Sequence, residues 1–199
     1  DLETLAVLPP AYISTVDSGN LAGHLIALRQ ACLALATPGP CATRLAAIAE
    51  RAYGYAMAMD FSFLYAEDRQ LLSIGYQEGS HTLDPSSYDL LASEARLASF
   101  MAIAKNDVPV EHWFRLGRTL TRASGATALV SWSGSMFEYL MPALVMRAFP
   151  STLLDQSCEG AVTRQVAHGA MHGVPWGVSE SAYNLRDRHF TYQYRAFGV

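Results

Sequence analysis

Three glutamates stand where a carboxylate could do chemistry. Glu94 lies in Tyr88-Asp89-Leu90-Leu91-Ala92-Ser93-Glu94-Ala95-Arg96, and Glu138 in Ser131-Trp132-Ser133-Gly134-Ser135-Met136-Phe137-Glu138-Tyr139. Glu180 closes Val174-Pro175-Trp176-Gly177-Val178-Ser179-Glu180. If the segment around Glu94 is one helix, Ser87, Leu90, Ala98 and Met101 fall within about 40° of it, and Leu91 and Leu97 within about 60°. A carboxylate centred on such an apolar stripe is costly to ionise unless it is paired or lines a polar cavity. Glu94 is then either a structural ion pair, with Arg96 or another arginine, or a functional acid. Glu138 and Glu180 each stand at an expected helix start, where an acid stabilises the N-terminal dipole. Glu180 has further company: Trp176, Tyr183 and Asn184 offer a stacking face and amide hydrogen bonds, a lining that suits sugars. Two or more acids among aromatic residues are the minimum for glycoside chemistry.

Other chemistries lack their residues. The chain has no GxSxG elbow, no glycine-rich phosphate loop and no GxGxxG after a strand. His168 and His172 share a helix face, but Gly169 stands where a metalloprotease helix carries its glutamate, and no further ligand is in view. They read as solvated or core histidines, with no metal expected. A net charge of −4, with 14 Lys and Arg, argues against nucleic acid, which needs clustered cations. Half the chain (51%) is hydrophobic and 16% is charged, which excludes a disordered segment. Mean hydropathy is +0.12, yet the apolar run Tyr139 to Val145 is too short to span a bilayer. Cys32, Cys41 and Cys158 lack metal-type spacing and read as reduced thiols of a cytosolic protein. The 199 residues suit one domain. A chain that begins at Asp1 and ends on aromatic and apolar residues is expected to be a fragment of a longer one.

The elements that must position these acids read as mainly helical. A first helix, capped by Asp17 or Ser18, shows Leu21, Ala22, Leu25, Leu28, Cys32 and Leu35 at i, i+3, i+4 spacing and stops at Thr37-Pro38-Gly39-Pro40. A second spans about Cys41 to Met59. Phe61 to Tyr65 and Leu71 to Tyr76 form an expected hairpin across Glu67-Asp68-Arg69. Asp84-Pro85 predicts the start of a third helix running to Lys105. A second hairpin pairs Trp113 to Leu116 with Ala128 to Trp132 around Gly125. Further helices are expected over Gly134 to Ala148, kinked at Pro142, over Leu153 to Met171, and from Glu180 to Arg186 behind a Ser179 cap. Paired helices with small hairpins in their loops point to an all-α fold, part of an α/α toroid.

The strings around Glu94, Glu138 and Glu180, together with Tyr12 to His24 and Met59-Asp60-Phe61-Ser62-Phe63-Leu64-Tyr65, resemble the glucoamylase-like domain of bacterial cyclic β-1,2-glucan synthases over nearly the whole chain. That domain is an (α/α)6 barrel of twelve helices, so about six helices here imply roughly half of it, inactive in isolation. The resemblance implies one segment of a large inner-membrane protein, on its cytoplasmic side. It also implies partner domains in the same chain: a glucosyltransferase using UDP-glucose and a phosphorylase-like domain. The domain is associated with closing linear β-1,2-glucan into a ring, and stand-alone relatives are endo-β-1,2-glucanases. A non-catalytic glucan-binding scaffold is the alternative from another class.

Exchanging one β-1,2 bond for another retains the anomeric configuration, so two displacements with a carboxylate nucleophile are required. By motif, Glu180 matches the family's nucleophile and Glu94 its acid/base, which in this family acts through a substrate hydroxyl. The usual carboxyl separation of about 5–5.5 Å need not hold in that case. Glu138 is left as a substrate-binding or orienting residue, with Trp132, Trp176, Tyr183 and Asn184 as sugar contacts. No metal or organic cofactor is implied. A helix start would favour the ionised form of Glu180, and an apolar face the protonated form of Glu94.

Overall fold

The computed structural model describes residues 2–36, 39–123 and 125–199, with backbone alone at 182–184. Helix accounts for about 44% of the chain and strand for 16%, in several small antiparallel sheets. The fold is therefore mixed α and β. This corrects the all-α expectation: the described residues show no half of an (α/α)6 toroid. They form two compact units, residues 1–89 with 95–116, and residues 90–94 with 117–199.

In the first unit, β1 (Tyr12–Ser14) leads into α1 (Thr15–Leu35), which packs on α2 (Ala42–Ala58). Ser14 is the N-cap of α1, its hydroxyl accepting from the Asp17 N–H at 3.2 Å, so the cap lies three residues before the expected Asp17. The stop signal at Thr37 and Pro38 lies outside the described residues. The expected stripe is only partly the buried face of α1: its Ala22 and Cys32 are buried, together with Gly19 and Gly23, while its Leu21, Leu28 and Leu35 are exposed. The reason is the closeness of α3 (Arg96–Ala104). A Cβ at Gly19 would overlap the Ala98 methyl, and one at Gly23 would lie 2.8 Å from Leu97 Cδ2. Short strands complete the unit. β2 (Tyr65–Ala66) pairs β3 (Leu71–Leu72), and β4 (Gly75–Gln77) lies between β1 and β5 (Thr82–Leu83). The first expected hairpin thus exists, shortened by a 3-10 turn at Ser62–Leu64. The expected strand Trp113 to Leu116 is instead the end of α4 (Glu111–Arg115).

The expected third helix shrinks to α3. Its Asp84-Pro85 signal is used as a turn: Asp84 Oδ1 accepts from the Ser86 N–H at 3.0 Å, and Tyr88 N–H donates to Leu72 O at 2.9 Å. Side-chain turn bonds and sheet-like pairing satisfy the backbone before a helix can form.

The second unit contains the hairpin β6 (Leu120–Ala123) and β7 (Ala126–Leu129), turning near Gly125 at φ +86°. Helix α6 (Leu153–His172) packs on β7 where Gly160 faces Ala126 and Ala128, and the buried Ser157 hydroxyl accepts from Leu129 N–H at 3.0 Å. Thr152 caps its start, and Gly173, left-handed at φ 63°, ends it. The expected helix Gly134 to Ala148 is only α5 (Met136–Leu140) followed by a 3-10 turn at Met141–Leu144, where Pro142 supplies no N–H. The expected helix at Glu180 is a strand, β8 (Ser181–Arg186), antiparallel to β9 (Tyr192–Arg195). Its supposed cap is engaged elsewhere: the Ser179 hydroxyl accepts from Phe137 N–H of α5 at 3.1 Å. No helix among the described residues is long and apolar enough to cross a membrane.

Candidate active site

Glu138 is the deepest of the three acids, 4% exposed, at the third position of α5. Its Oε2 accepts from the Ser135 N–H and hydroxyl, both at 2.9 Å, and from the Ser133 hydroxyl. The Ser133 N–H donates to both carboxylate oxygens at 3.1 and 3.2 Å. The Ser135 hydroxyl in turn accepts from Glu138 N–H at 3.3 Å, completing a reciprocal capping box. The carboxylate thereby fixes the turn that carries Trp132, whose indole is exposed.

Glu94 sits in a turn ahead of α3 and not on a helical face. Residues 90–94 are held by Leu91 N–H donating to Gly117 O at 3.0 Å and by a parallel bridge between Leu90 and Gly117. Burial survives the change of element. It pushes the Glu94 carboxyl above its ordinary value, and the charges of Glu138 and Glu180 push it further; its own backbone N–H and the Ser93 hydroxyl oppose the rise. Like-charged neighbours and desolvation both favour the proton-holding form.

Glu180 stands between Ser179 and β8, half-buried, and the Tyr194 hydroxyl donates to its Oε2. That bond, with burial and the Glu180 and Glu94 charges, pushes the Tyr194 phenol up to about 12. Helix-dipole stabilisation, expected from the sequence, is absent because a strand follows. Trp176, four residues before Glu180, is 51% exposed. The side chains of Tyr183 and Asn184 lie outside the described residues.

Sequence reasoning missed the residue that joins these loops. Gln165, 1% exposed on α6, uses all four hydrogen-bonding positions of its amide. Its oxygen accepts from Gly177 N–H at 3.2 Å and Val178 N–H at 2.6 Å, and its nitrogen donates to Gly134 O at 3.3 Å and Val178 O at 3.0 Å. Met136 N–H adds a bond to Val178 O at 3.2 Å. The Trp132 turn and the Trp176 loop are thus fastened to one buried amide, with Glu138 bonded into the first and Glu180 at the end of the second. Gly169 lets the loop lie close, since a Cβ there would meet Val174 O at 2.8 Å. The signal was a lone glutamine on the Ala161, Gly169 face of α6. Tyr194 was missed too, although Tyr192 and Tyr194 alternate as one strand of a hairpin should.

His168, half-buried, and His172, exposed, have ring centroids 4.2 Å apart on α6, and no group of three potential ligands occurs among the described residues. The three cysteines are free thiols.

No family model matches the chain. The cyclic beta-(1,2)-glucan synthase NdvB of Rhizobium meliloti (strain 1021) is 48% identical over 207 aligned positions, which take in 100% of this chain. The chain spans 7% of that protein's length. Over its whole length, then, the chain is homologous to one segment of a cyclic β-(1,2)-glucan synthase.

Proposed function

We propose that these residues belong to the part of such a synthase that closes linear β-1,2-glucan into a ring, by retaining transglycosylation. The supporting observation is the acid cluster: Glu94 is pushed towards its protonated form by burial and by Glu138 and Glu180, and exposed Trp176 stands four residues before Glu180. In the first displacement Glu180 attacks the anomeric carbon, the β-1,2 bond breaks, and the departing oxygen gains the proton that Glu94 supplies. In the second, a sugar hydroxyl at the other end of the same glucan attacks that carbon. Its proton passes to Glu94 and Glu180 leaves as a carboxylate. Trp132 and Trp176 would stack on sugar faces, Glu138 would orient substrate through the turn it fixes, and Tyr183 and Asn184 would line the site.

The partners in this reading are the glucan and, in the same inner-membrane chain, a glucosyltransferase and a phosphorylase-like domain. Water as acceptor would turn the same steps into endo-β-1,2-glucanase activity. A scaffold reading draws on Glu138, whose oxygens are engaged by its own turn. Linear β-1,2-glucan given to the full-length chain separates these readings. Bond exchange that yields rings and is lost in Glu180→Gln fits the proposal, hydrolysis alone fits the glucanase, and binding without exchange fits the scaffold.

A further inference from the structure

Tyr194 stands opposite Ala182 in the β8–β9 ladder. Glu180 lies immediately ahead of β8, two residues before Ala182, within reach of a long side chain on the facing strand. Its hydroxyl donates to Oε2 of Glu180. The Glu94 charge also bears on the same phenol. It is 61% exposed, so packing does not account for the hydroxyl's position.

We propose that Tyr194 is a positioning residue for glycosyl transfer: it holds Oε2 of Glu180, leaving Oε1 as the attacking oxygen, and steadies the carboxylate when it departs. This rests on the reading of Glu180 as nucleophile. When the Oε1–carbon bond forms and the glycosidic bond breaks, the carboxylate becomes a neutral ester and the Tyr194 bond weakens. When the acceptor hydroxyl attacks and its proton goes to Glu94, the Oε1–carbon electrons return to Glu180. The Tyr194 bond then becomes charge-assisted again, so it favours breakdown of the glycosyl-enzyme over its formation.

The test uses the full-length chain with linear β-1,2-glucan, comparing wild type, Tyr194→Phe and Glu180→Gln by steady-state kinetics and by intact mass after quenching. Tyr194→Phe keeps the ring at an exposed site. Its kcat should fall by about 10- to 100-fold, with KM falling too and a covalent glycosyl adduct accumulating. Glu180→Gln should show no adduct and no turnover. Unchanged kinetics in Tyr194→Phe, or a lower kcat without an adduct, beside an inactive Glu180→Gln, overturns the role of Tyr194 and leaves the reaction standing. Full turnover in Glu180→Gln overturns the reaction itself, and this role with it.

Discussion

Replacing Gln165 with leucine removes four hydrogen bonds at similar volume, and the consequences divide unequally. Gly134 O keeps Val199 N–H at 3.4 Å and Val178 O keeps Met136 N–H at 3.2 Å, so both carbonyls retain a donor. The N–H groups of Gly177 and Val178 lose the Gln165 oxygen. Gly177 is exposed and can turn to water, whereas Val178 is half-buried. An unsatisfied donor of that kind costs about 1–3 kcal/mol. The loop should therefore open about 5- to 150-fold more often. Hydrogen–deuterium exchange over residues 174–180 measures this directly, since local opening sets protection. Gln165→Glu should behave worse near neutral pH, because a carboxylate oxygen would face the Gly134 and Val178 carbonyls, and should recover as acid restores a donor. Exchange in Gln165→Leu indistinguishable from wild type would refute the clamp.

Burial lowers the His112 pKa, with Nδ1 at 3.1 Å from Gln70 O and Nε2 at 2.8 Å from the Ser99 hydroxyl. The folded state therefore binds its proton less readily than the unfolded one. Stability of the first unit should be full above about pH 6.5 and decline below it, by urea unfolding, with the slope absent in His112→Gln. Gly19→Ala should lose about 1–3 kcal/mol by overlapping Ala98. By contrast, Gly54→Ala on α2 meets nothing within 4 Å and should gain about 0.5–1 kcal/mol; thermal midpoints moving in opposite directions check the pair. Glu94 has a raised folded pKa, so its stabilising contribution is full below about pH 4.3 and is lost as pH rises through the folded value. Glu94→Gln should then be more stable than wild type at neutral pH while losing turnover, measured on one preparation.

The long helices were legible because periodicity and stop signals agreed: α1, α2 and α6 fall within a few residues of their expected bounds. What the pattern could not show was which face of α1 is buried, since contact with Ala98 and Leu97 selects glycines over leucines. Residues 84–95 misled because an aspartate before proline serves a turn as well as a helix start, and only the partner Leu72 decides between them. Ser179 misled in the same way: a capping hydroxyl was visible, but the helix it serves, α5, lies 42 residues away. In the candidate site, burial of Glu94 followed from its apolar neighbours even though the helix assumed for it is a turn. The roles of Glu180 and Glu94 came from the family resemblance, not from spacing. Gln165 was invisible for want of any local pattern, because its four partners come from residues 134, 177 and 178.

The most direct test of the central claim is chemical rescue of the full-length chain acting on a β-1,2-glucan substrate with an activated leaving group. With Glu180→Ala, azide can enter from the side the carboxylate occupied, and the account predicts a glycosyl azide of inverted configuration at a rate that rises with azide. With Glu94→Ala, the first displacement should persist on the activated substrate, and azide should yield a product of retained configuration. The opposite assignment, a retained azide product from Glu180→Ala and an inverted one from Glu94→Ala, would show the two roles exchanged; full turnover in both variants without azide would remove this pair from the reaction.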